Sequence, residues 1–103
     1  MKSPKILHLT LKKSWFDLMI SEEKTTEFRK SSDWIKQRLV DKEYEAVRFV
    51  NGYGSDKPFF VAKYLGYEVA KKNEEIPFKK ETVVIKKGDY KIFLGKIIEK
   101  GNL

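Results

Sequence analysis

Cysteine is absent from this 103-residue chain. Disulfides, thiolate nucleophiles and thiolate metal sites are therefore excluded. Histidine occurs once, at His8. A zinc site would have to draw its other ligands from carboxylates or water, an unusual set. No metal and no cofactor is expected. Long apolar runs are missing too. The longest, such as Phe59–Ala62, fall far short of a membrane span. The start, Met1-Lys2-Ser3-Pro4-Lys5, is basic but has no apolar stretch of the kind a signal peptide needs. The expectation is a cytoplasmic monomer with no membrane attachment. Arginine is scarce: of 22 basic residues only Arg29, Arg38 and Arg48 are arginines. The remaining lysines form a diffuse field, so the three planar guanidinium groups are the candidates for directed anion contacts.

What is present fits one folded domain over residues 1–103. Apolar residues make up 41% and charged residues 36%, interleaved rather than segregated. That composition supports a core under a charged surface and does not read as disorder. The formal charge of +7 favours anionic partners, nucleic acid first.

Ile6–Lys12 alternates, with Leu7, Leu9 and Leu11 on one face and His8, Thr10 and Lys12 on the other, as a half-buried strand does. Ser14 is placed to cap a helix whose apolar stripe is Trp15, Leu18 and Met19, ending near Glu22–Glu23. Thr25–Lys30 reads as a strand with Thr25, Glu27 and Arg29 sharing a face. Ser31-Ser32-Asp33 caps a second helix from Trp34 to about Val40, and both tryptophans are expected to pack in the core. Strands follow at Tyr44–Val50 and Phe59–Val69, the latter bent near Gly66, and at Thr82–Ile85 and Tyr90–Glu99. The segment 71–80 is polar, contains Pro77 and reads as a loop or a short helix. This order predicts an α+β fold: a mostly antiparallel sheet curled into a small mixed β-barrel, its ends covered by two short helices.

The segment Lys24-Thr25-Thr26-Glu27-Phe28-Arg29 carries the densest chemistry. A lysine leaves a helix, and the next strand sets Glu27 and Arg29 two apart on one face. One reading is a cleft in which Lys24 and Arg29 hold an anion while Glu27 orients them or moves protons. A solvated ion pair on a strand surface satisfies the same spacing. His8 and Lys12 are candidates from the adjacent strand. Arg48 is a candidate from a polar strand face, and Tyr53 from the glycine-rich turn 51–58, where an aromatic ring can stack on a base.

The opening strand, the helix Trp15–Ser21 and the run Glu23-Lys24-Thr25-Thr26-Glu27-Phe28-Arg29 resemble the start of the ASCH family, relatives of the PUA RNA-binding domains. That family's hallmark is approximately Ile/Leu-x-Gly-x-Lys-Thr-x-Glu-x-Arg. Ile92–Ile98 is similar to its closing strand. The resemblance implies a PUA-like fold and a polar cleft at Lys24, Glu27 and Arg29, with Thr25 beside them. It also implies RNA or a nucleoside or nucleotide as the ligand. Two functions stay open: a binding module, or a metal-independent hydrolase acting through Lys24, Glu27 and Thr25 as a ribonuclease or as an amidohydrolase on an acylated nucleoside such as N4-acetylcytidine. The chain departs from the pattern in having Glu22 where the family has glycine. It also has Glu27 where the amidohydrolase branch has its proposed nucleophilic threonine.

Overall fold

The computed structural model describes residues 5–54, 56–78 and 81–103. The elements run β1 (Ile6–Leu11), α1 (Lys13–Ile20), β2 (Thr26–Arg29), α2 (Asp33–Leu39), β3 (Ala46–Asn51), β4 (Phe59–Val69), β5 (Glu74–Phe78), β6 (Glu81–Ile85) and β7 (Tyr90–Gly101). Five strands form one sheet in the order β1-β3-β4-β7-β2. Only the β1–β3 pair is parallel, because the chain returns to β1's neighbour after the α1-β2-α2 excursion. The long strands β4 and β7 bend together through register shifts between Val61 and Tyr67. Gly66, at φ +108°, supplies the backbone freedom for the last of these.

The sheet curls into a half-barrel, in keeping with the small, barrel-like α+β fold expected. Its two end strands, β1 and β2, do not pair with each other. One correction lies in 71–80, expected as a loop or a short helix. Its residues 74–78 form β5, which pairs with β6 as a separate two-stranded hairpin. Pro77 is tolerated there because such a hairpin has open edges on both sides.

The core follows the alternation of β1. Leu7, Leu9 and Leu11 are buried against Val47 and Phe49 of β3, Phe60 of β4 and Ile92 of β7, with Phe16 and Met19 of α1 and Ile35 and Leu39 of α2 closing the cluster. Along α1 the expected stripe is buried at Leu18 and Met19, together with Phe16, while Trp15 is half-buried at the edge of the core. Ser14 does not cap this helix; Lys12 occupies the N-cap position and its side chain makes no cap hydrogen bond. Ser32 does cap α2, accepting from the Ile35 N–H at 3.2 Å. Trp34 is not a core residue: it is 47% exposed, with the Arg38 guanidinium stacked 3.7 Å from its ring centre. Phe28 and Phe93 are half-buried. No helix among the described residues is long and apolar enough to cross a membrane.

Candidate functional site

The helix-to-strand turn builds the site. After α1 the chain passes Ser21 and adopts φ +65° at Glu22, the left-handed conformation in which helices often terminate. The Glu22 N–H donates to Met19 O at 3.0 Å and the Lys24 N–H to Leu18 O at 3.1 Å, folding the chain back under the helix. This is the position where the family pattern carries glycine. The turn forms with glutamate, at the steric cost a Cβ carries in this region.

Lys24 is thereby driven into the interior, 3% exposed, and Glu27 of β2 follows it at 5%. The Lys24 ammonium donates to Glu27 Oε1 at 3.1 Å and lies 3.6 Å from Met19 Sδ. Three rings surround it, with centres 5.1 Å (Phe28), 5.5 Å (Trp15) and 5.9 Å (Phe78) from Nζ, so the charge is balanced by one carboxylate and by aromatic faces. Burial pulls the Lys24 pKa below its ordinary value, Glu27 pulls it back up, and Arg29 adds a smaller push downward.

Glu27 is the hub. Its Oε1 also accepts the Phe28 N–H at 3.1 Å, and its Oε2 accepts from Arg29 Nε at 2.9 Å and is ion-paired with Nη2 at 2.8 Å. Arg29 Nη2 in addition donates to the Thr10 carbonyl at 2.8 Å. One arginine therefore crosses from β2 to β1, bridging the seam that the backbone leaves open. Two cations and one carboxylate leave the triad with one net positive charge, held in a fixed geometry by charge-assisted bonds.

A cavity of about 480 Å³ opens at this seam. Thr10, Leu11 and Lys12 form one side and the triad with Phe28 and Lys30 the other. Trp15 and the hairpin residues Thr82–Val84 complete it. Its size is that of a site for one small organic ligand. A hollow of about 320 Å³ continues it past Arg29 and Lys30 to Lys86 and Asp89. On the opposite side Thr10 is shared with a third hollow of about 210 Å³, lined by His8, Arg48, Tyr53 and the glycines of the turn.

Of the sequence-derived candidates, Lys24, Glu27, Arg29 and Lys12 meet at the main cavity. His8, Arg48 and Tyr53 gather in the adjoining hollow, where the parallel register sets His8 beside Arg48. Thr25 joins neither. Strand pairing begins only at Thr26, so Thr25 is exposed and its carbonyl accepts from the Leu94 N–H at 3.1 Å. The aromatic enclosure of Lys24 was not anticipated. Trp15 read as a packing residue, and Phe78 lay in a segment read as a loop or a short helix. Among the described residues no cluster of histidine, aspartate or glutamate has the arrangement of a metal site.

No protein-family model, curated protein or solved structure matches the chain at a significant level.

Proposed function

We propose that this chain is an ASCH-like, PUA-related module that binds RNA or a nucleotide-sized ligand in the Lys24–Glu27–Arg29 cleft, without performing chemistry on it. The observation that carries this reading is the fixed, net-positive triad at the wall of a cavity of about 480 Å³ that is part aromatic and part cationic. Such a wall offers an anion a preorganised guanidinium and offers a base an apolar surface.

The state of Glu27 favours binding over hydrolysis. A general base needs a lone pair directed at the proton it takes. Both oxygens of Glu27 are already occupied, by Lys24 Nζ and the Phe28 N–H on one side and by Arg29 on the other. Thr25, the candidate nucleophile, lies outside the cavity lining. Glu27 instead orders the two cations around it.

The test is an equilibrium titration with labelled single-stranded RNA and with nucleoside monophosphates, at low and moderate salt. Binding is expected to weaken as salt rises. Arg29→Lys, which keeps charge but loses the planar fork, is expected to weaken it by roughly tenfold. Absence of any binding at low salt defeats the reading. Turnover of RNA or of an acylated nucleoside by the wild type, lost in Glu27→Gln, would replace it with the hydrolase.

A further inference from the structure

Three hollows adjoin through shared lining residues and together outline a trough. The central cavity shares Thr10 with the hollow that holds Arg48 and Tyr53, and shares Phe28, Arg29 and Lys30 with the hollow that ends at Lys86. Resting on the binding reading above, we infer that the trough takes a continuous single-stranded run of RNA, about three nucleotides long, and not a lone nucleoside.

Charge along the trough supports this. Its lining includes Lys12, Lys24, Arg29, Lys30, Arg48 and Lys86, against two carboxylates, Glu27 and Asp89. Both carboxylates are engaged. Glu27 is held by the triad, and Asp89 accepts the Ser31 N–H at 3.0 Å and the Lys86 N–H at 2.9 Å. No uncommitted carboxylate faces a phosphate anywhere along the described lining. A lone nucleoside would use the central cavity and leave the cations at either end without a role. A polyanion uses those at the ends as well, while Lys24 stays buried against Glu27.

The Arg48 end also carries a stacking surface. Phe59 lies flat across Gly101, where a Cβ would overlap its ring. The Arg48 guanidinium sits 4.1 Å from that ring's centre, so its plane is backed by a fixed aromatic. Tyr53, 86% exposed on the glycine-rich turn, stands at the same hollow. Guanidinium planes and exposed tyrosines are the groups on which unpaired bases stack. The mixed lining of rings and cations is that of a strand-tracking groove, and a double helix would present no bases to it.

The experiment is a length series of 5′-fluorescein-labelled oligoribonucleotides of random sequence, one, two, three, four and eight nucleotides long, read by anisotropy at low salt. Affinity is expected to rise steeply up to about three nucleotides and then to level off apart from a statistical gain. Tyr53→Ala, a fully surface change, and Arg48→Lys, which keeps charge but loses the plane, are each expected to weaken the tetramer by about fivefold or more. They are expected to leave the mononucleotide unchanged, whereas Arg29→Lys weakens every length. If the mononucleotide binds as tightly as the tetramer, or if Tyr53→Ala and Arg48→Lys leave the length dependence intact, the trough is not the RNA path and only the single-nucleotide cleft survives. If no length binds the wild type, both this inference and the cleft reading fall.

Discussion

Glu22 is a side chain in a backbone conformation that suits glycine, at the turn that aims Lys24 inward. Glu22→Gly is expected to stabilise the fold by about 1 kcal/mol, the usual penalty of a Cβ in the left-handed region less the extra entropy of glycine. A urea titration showing a lowered midpoint would mean the turn is relaxed with glutamate. The triad makes a sharper statement. Glu27→Gln leaves Lys24 and Arg29 side by side without a counter-charge, one of them buried, and is expected to cost about 3–5 kcal/mol. Lys24→Met keeps the volume among Trp15, Phe28 and Phe78, and Glu27 keeps Arg29 and the Phe28 N–H. That change is expected to cost only about 1–2 kcal/mol. The double variant should be less damaged than Glu27→Gln alone, since the stranded ammonium is gone. If Lys24→Met proves the more harmful single change, Glu27 is not the hub described here.

The hairpin β5–β6 walls the cleft although it belongs to a separate sheet. Phe78 meets Trp15 edge-on at 6.4 Å, and Thr82–Val84 line the cavity. Removing the Phe78 ring opens one side of the enclosure around Lys24 to water. Phe78→Ala is therefore expected to raise the Lys24 pKa toward its ordinary 10.5, because burial is the main cause of its depression. Carbon-13 NMR of the lysine Cε across alkaline pH reads this directly, and an unchanged titration would show that the hairpin does not control water access. These elements also mark what the sequence disclosed. The strict alternation of Leu7, Leu9 and Leu11 and the serine before α2 were readable because local chemistry decides them. The i,i+2 spacing of Glu27 and Arg29 put the pair within reach of each other. The hairpin was hidden because Pro77 and the flanking charges outweighed the alternation of Glu74, Ile76 and Phe78. Those three are its half-buried face, with Glu74 reaching Lys91 at 3.6 Å.

For the molecule as a whole, the buried Lys24 and the half-buried Tyr64 oppose each other at alkaline pH. Lys24 releases its proton more readily folded than unfolded. Between its folded pKa and 10.5 the unfolded chain thus binds more protons, and this group adds stability as pH rises. Tyr64 is pushed above its ordinary 10.0, chiefly by burial, so above that value the unfolded chain ionises first and stability falls. The stability difference between wild type and Lys24→Met should consequently move in favour of the wild type as pH is raised from 7 toward 10.5, and Tyr64→Phe should soften the loss above about 10. Urea midpoints at a series of pH values test both signs; a flat difference for Lys24→Met would contradict the first. The open seam has one more consequence. A half-barrel ends in two strands, β1 and β2, whose outer backbone groups have no ladder partner in the sheet, and such edges invite pairing with another copy of the chain. Lys12 and Lys30 stand just beyond the ends of those strands, and Arg29 occupies the Thr10 carbonyl that an incoming strand would seek. These cations therefore stand as gatekeepers against edge-to-edge aggregation, and neutralising them is expected to lower colloidal stability.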